Sequence, residues 1–176
     1  MFNSSLTALA ANLAQKAHVG EIARTGGPAF EHYAATARSF DTEEEACVAY
    51  LCDALDTGKV TEEDLRFAQF PDEVVEACVC LKRRAGEEFF DFIERIKGNS
   101  LASRVKRADL VQTIEDMESY VSLTGMDRRR RTSCQKALDI IDGTDELAYD
   151  GLFESQHHHG KKKTPVPPAP HMPAER

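Results

Sequence analysis

The sequence contains no run of about 18 apolar residues, the length a helix needs to cross a bilayer, so no membrane span is expected. The N-terminal apolar stretch, Leu6 to Leu13, is short. No positive segment precedes it, and Gln15, Lys16 and His18 follow, which is not the pattern of a secretory leader. Tryptophan is absent, and the first 164 residues hold only two prolines, Pro28 and Pro71. The five cysteines (Cys47, Cys52, Cys78, Cys80, Cys134) form no C-x-x-C pair and sit among apolar residues. That argues against a disulfide frame or a zinc ribbon and for reduced, buried thiols in a cytoplasmic protein. A basic surplus is also missing. Lys+Arg is 22 against 30 Asp+Glu, a net charge of -8, so general binding to nucleic acid or to anionic lipid is not expected.

What is present divides unevenly. Five of the seven prolines lie after Thr164, behind Lys161 to Lys163 and His157 to His159. Such a stretch cannot build a core, so a folded domain over 1–155 and a disordered Pro/His/Lys-rich tail over 156–176 are expected. Residues 157–176 hold four of the basic residues and one of the acidic ones. The acidity therefore belongs to the body, which keeps 18 basic against 29 acidic residues, a net charge of -11.

Within the body, helical spacing recurs and strand alternation does not. A first helix is expected over residues 4–17. Thr42 followed by Glu45 is a capping-box pattern that starts a helix over 43–55, with Cys47, Val48, Leu51, Ala54 and Leu55 on its apolar stripe. Thr61 with Glu62, Glu63 and Asp64 starts a short one, because acidic residues suit a first turn. Pro71-Asp72-Glu73 opens another, with Val74, Val75, Cys78 and Leu81 at core spacing. Phe89, Phe92, Ile93 and Ile96 give the next, closed by Gly98. Residues 100–121 make one or two more, and Cys134, Leu138 and Ile141 mark a last long helix before Gly143. The fold class is all-α, a compact bundle of about seven helices.

Polar residues at apolar positions are the informative exceptions in such a bundle. Asp109 continues the stripe of Leu101, Val105 and Ala108. A carboxylate there costs several kcal/mol (about 3–5 when unpaired) unless it is paired, hydrogen-bonded or metal-bound. On spacing alone, a buried Asp satisfied by Arg or by backbone N–H groups explains it. Asp53 and Asp56 share a face at the end of the 43–55 helix, which on spacing alone reads as a solvated helix end. The body holds two histidines, His18 and His32. The four-arginine run Arg128 to Arg131 reads as a solvated helix start; the alternative is a helical interaction domain that contacts a nucleic acid or an acidic partner through it.

Three ordered segments carry more. The first is Ala17-His18-Val19-Gly20-Glu21, then Arg24-Thr25-Gly26-Gly27-Pro28 and Phe30-Glu31-His32. The second is Tyr50-Leu51-Cys52-Asp53-Ala54-Leu55-Asp56-Thr57, then Val60 to Leu65 and Phe70-Pro71-x-Glu73-Val74-Val75. The third is Asn99 to Leu110, with its V-K-x-A-D-L run. Over roughly residues 5–143 this resembles the HD-domain phosphohydrolases, in the branch of the guanosine polyphosphate (ppGpp) pyrophosphohydrolases of the Rel/SpoT and Mesh type. The resemblance implies an all-helical bundle with one divalent metal, manganese by family expectation. His32 would match the first ligand, Asp53 the Asp of the His-Asp pair and Asp109 the last ligand. Cys52 stands where the pair's histidine belongs. Arg24 and Lys106 match basic residues of the nucleotide site.

Several departures fall on the centre of that chemistry. The family's Glu-Asp unit, which orients and deprotonates the attacking water, is here Asp56-Thr57. Its A-D-L-x-D-N reads Ala108-Asp109-Leu110-Val111-Gln112-Thr113, and its Pro-Tyr is Pro28-Ala29. A thiolate at position 52 would weaken manganese binding and favour zinc or iron. Two readings follow. One is an active phosphohydrolase, with metal on His32, Cys52, Asp53 and Asp109 and Asp56 as the base. The other keeps the bundle without the hydrolysis, as a module that binds a nucleotide or a protein.

Overall fold

The computed structural model describes residues 5–23, 26–120 and 122–144. The expected tail and Arg24 lie outside the described residues. Eight helices and no strand are found among those described: α1 (Leu6–Ala17), α2 (Phe30–Arg38), α3 (Glu43–Leu51), α4 (Glu62–Phe67), α5 (Asp72–Leu81), α6 (Phe89–Ile96), α7 (Ser100–Glu118) and α8 (Gly125–Asp142). The all-α expectation holds.

Most helices start where a side-chain oxygen can take an otherwise orphaned N–H. Ser5, Thr42 and Asn99 accept from the backbone N–H three residues on. Thr61 with Asp64 and Thr124 with Asp127 form full capping boxes. Pro71 precedes α5 and supplies the fixed φ that suits a helix start. Gly143, at φ 70°, closes α8 in the left-handed region that favours glycine.

Helix α3 is the centre of the bundle. Ala46 to Ala49 and Leu51 are all buried, so it is apolar all round rather than amphipathic. It packs on α1, α2, α5 and α7, while α7 also packs on α2 and α8. Phe92, Leu51, Leu65, Ile93 and Ile96 are the largest fully buried side chains.

Two expectations are corrected. The helix expected over 43–55 stops at Leu51, and residues 52–58 form successive turns. The Thr57 hydroxyl donates to the Ala54 carbonyl at 2.7 Å, and Gly58, at φ 70°, sends its N–H to Leu55. Side-chain capture of the chain carbonyls competes with helix continuation here. Asp53 and Asp56 are therefore on a turn, not on one helix face. Helix α2 was not expected. Its N-cap, Ala29, makes no side-chain hydrogen bond, so the usual start signal is missing.

The segment between α5 and α6 is fastened by Arg95 of α6. Its guanidinium donates to Glu87 at 2.6 and 2.8 Å, to the Cys80 carbonyl at 2.7 Å and to the Lys82 carbonyl at 3.1 Å. It also lies over the Phe92 ring, 5.4 Å from the centroid.

Candidate functional site

Helices α2, α7 and α8 and the turn after α3 enclose a cleft of about 510 Å³. Its floor is a chain of hydrogen bonds that begins on α7. Asp109 and Asp116 are seven residues apart, two turns along one helix face, and His32 of α2 stands between them. His32 Nε2 lies 2.9 Å from Asp109 Oδ1, and Nδ1 lies 2.7 Å from Asp116 Oδ2. The second oxygen of Asp109 accepts from Lys106 Nζ at 2.7 Å, and the second oxygen of Asp116 accepts from Gln112 Nε2 at 2.9 Å. Lys106 also lies over the Phe92 ring, 5.7 Å from its centroid.

These charges are largely desolvated. The Asp109 side chain is 6% exposed, Lys106 13% and His32 19%. Burial acts against every one of the charged forms, and the partners overcome it. Asp109 is held well below the usual carboxylate range by Lys106 and His32, despite a burial effect that would raise it. Lys106 is pushed up by Asp109 and Asp53, again against burial. His32 is raised by its hydrogen bonds to Asp109 and Asp116, although burial alone would lower it.

Of the residues expected at the site, His32, Asp53, Lys106 and Asp109 line this cleft together. The Asp53 carboxylate accepts from the Tyr33 hydroxyl at 3.3 Å. Asp56 faces an adjoining cavity that Asp53 also lines. Its carboxyl is raised by burial and then by Asp53. Cys52 is 1% exposed, and burial, with the charges of Asp53 and Asp109, pushes its thiol far above the ordinary value.

Several of the side chains that the resemblance names as metal ligands are engaged with other protein groups. A metal-bound imidazole needs a free lone pair and a metal-bound cysteine needs its thiolate. Both ring nitrogens of His32 face carboxylate oxygens, the Cys52 environment favours the thiol, and both oxygens of Asp109 are engaged. Among the described residues no three His, Cys, Asp or Glu side chains converge as a metal-holding group.

Sequence reasoning missed three contributors: Asp116, Gln112 as its partner, and Tyr33. Asp116 had a signal in its seven-residue spacing from Asp109, but an Asp in the last turns of a long helix reads as solvated. Tyr33 is buried, its ring stacked on His18 at a centroid distance of 4.4 Å and set edge-on to His32 at 5.3 Å.

No protein-family model matches the chain, and no curated protein is detectably similar. A solved structure is. It is that of a metazoan ortholog of SpoT that hydrolyzes ppGpp and plays a role in starvation responses. The two are 19% identical and superpose with a TM-score of 0.66 over 89% of this chain and 98% of that one. At that identity the likeness establishes the fold, the HD-type helical bundle, which agrees with the helices above. No described helix is long and apolar enough to cross a membrane.

Proposed function

We propose that this chain is an HD-fold module that binds a guanosine polyphosphate or another nucleotide pyrophosphate in the α2–α7–α8 cleft without metal-assisted hydrolysis. One observation carries the reading. Asp109, on which a metal would have to sit, gives one oxygen to His32 and the other to Lys106, so the positive charge opposite it belongs to the protein's own side chains. The cleft retains what a nucleotide needs. Arg83 and Arg130 stand at its walls, Phe89 and Tyr120 line it, and the volume is that of a small-ligand site. The neighbouring fold's ppGpp chemistry supports the ligand class. Arg24, on the resemblance, would add to the base side.

Titration of the full chain with guanosine nucleotides, in EDTA and then in manganese or zinc, tests this. Nucleotide binding with the same affinity in EDTA, no metal in the purified protein and no pyrophosphate release are expected. Metal-dependent release at ordinary enzyme rates, about 1–10³ per second, would overturn it. That result would favour the hydrolase, with metal on His32, Cys52, Asp53 and Asp109 and Asp56 orienting the water.

A further inference from the structure

The cleft adjoins a second cavity of about 450 Å³, and Arg83 belongs to the walls of both. Arg83 lies between α5 and α6, where no helix fixes the backbone. Its guanidinium rests over the Phe92 ring, 6.0 Å from the centroid, and donates to the Glu87 carbonyl at 2.5 Å. That acceptor is neutral. The Glu87 carboxylate is taken by Arg95 and by the Arg84 N–H. A guanidinium has five N–H donors, so most of them remain for a ligand.

Where the guanidinium points depends on how the backbone beneath it is held, and the donors of that segment can be followed one by one. The Lys82 N–H goes back to the carbonyls of Cys78 and Val79 at 3.2 and 3.3 Å, and the Arg84 N–H goes forward to Glu87 Oε2 at 3.0 Å. The Arg83 N–H between them has no backbone acceptor among the described residues. Its partner is the carboxylate of Asp56, from the turn after α3. That turn is itself closed. The Asp56 N–H meets the Asp53 carbonyl at 3.1 Å, the Thr57 hydroxyl donates to the Ala54 carbonyl at 2.7 Å, and the Lys59 N–H meets the Thr57 hydroxyl at 3.1 Å. Asp56 and Arg83 line the smaller cavity together. Lys82 and Lys106 favour the charged form of Asp56, and Asp53 opposes it.

We infer that Asp56 is a positioning residue. Its carboxylate holds the Arg83 peptide across the cavity and so presents the guanidinium to the phosphates of the nucleotide, instead of activating a water. This rests on the nucleotide reading of the cleft and adds to it a residue that acts on affinity through Arg83.

The role has a sign that a purely electrostatic one lacks. A carboxylate near a phosphate site repels the ligand, so removing its charge alone strengthens binding. Removing the acceptor weakens it. Asparagine keeps a carbonyl oxygen for the Arg83 N–H and loses the charge, whereas alanine loses both.

The test is calorimetric titration of the full chain with guanosine 5'-diphosphate. Asp56→Ala is expected to weaken binding about three- to tenfold, the scale of one hydrogen bond, and Asp56→Asn to bind at least as tightly as the parent. Arg83→Met is expected to weaken binding by itself, and adding Asp56→Ala to it should bring no further loss. Hydrogen exchange followed by NMR gives a readout without ligand: the Arg83 amide should exchange faster in Asp56→Ala than in the parent or in Asp56→Asn. Equal weakening by asparagine and alanine, a full added loss in the Arg83→Met background, or unchanged exchange of the Arg83 amide in Asp56→Ala would overturn the inference and leave nucleotide binding in place. A parent that binds no nucleotide would overturn both readings.

Discussion

Replacing Lys106 by methionine removes a charge and keeps most of the side chain's volume, including the stem beside Phe92. It leaves Asp109 buried with one of its two partners gone. Breaking a buried pair from one side costs about 3–5 kcal/mol, because the remaining charge is uncompensated. Here His32 still donates to Asp109 and the lysine side chain retains 13% exposure, so the low end applies, about 3 kcal/mol. For a chain of this size each kcal/mol moves the melting point by about 2–4 °C, which gives a fall of about 6–12 °C. The double variant Lys106→Met, Asp109→Asn should recover more than half of that loss, since the orphaned charge is removed with its partner. The window follows from the directions of the two shifts. Asp109 is depressed, so its contribution is present above about pH 4 and fades as the pH falls through the folded-state value. Lys106 is raised, so its contribution is present below about pH 10 and is lost only above that. Scanning calorimetry at pH 7 therefore reads the full effect. A single variant melting within about 2 °C of the parent, or a double variant less stable than the single, would refute the reasoning.

Three further outcomes are expected. His32 is raised from its ordinary value, so the stability it contributes is complete below about pH 6.5 and is lost as the pH rises through the folded-state value. Chemical denaturation of His32→Asn should show a flatter stability profile than the parent above neutrality, and parallel profiles would refute a stabilising role for the His32 hydrogen bonds. Leu51→Ala, at the fully buried centre of α3, should cost about 2–5 kcal/mol in urea unfolding; a cost below about 1 kcal/mol would place the core elsewhere. Thr124→Ala breaks the capping box of α8 and should cost about 1 kcal/mol, read as a shift of the urea midpoint at unchanged slope.

The helices could be read from the chain where a local signal stands at their start. Thr42, Thr61 and Pro71 each combine a cap or a fixed φ with an apolar stripe behind them. Helix α2 has no side-chain cap at Ala29, and its one local signal is Pro28, two residues before it. It is held by packing on α3 and α7, contacts that no local window contains. The overrun past Leu51 has the same origin, because Ala54 and Leu55 keep the apolar period while Thr57 and Gly58 turn the chain. Asp109 could be picked out because a carboxylate on an apolar stripe demands a partner. Which partner could not. Lys106 is three residues away and sits on the same helix, yet His32 is 77 residues distant, and only the approach of α2 to α7 brings it in. The metal-ligand reading came from the family resemblance, matched residue by residue; that both ring nitrogens of His32 meet carboxylate oxygens is visible only in the fold.

Arg95 has a consequence for kinetics. By tying down the carbonyls of Cys80 and Lys82, it sets the path of the backbone that bears Arg83 before any ligand arrives. For the nucleotide proposed above, little ordering entropy would then be left to be lost on association, so its capture is expected to be limited by diffusion and charge steering rather than by loop rearrangement. Ligands that differ in fit are accordingly distinguished by how long they stay, and Arg95→Ala would slow capture by making that backbone rearrange first.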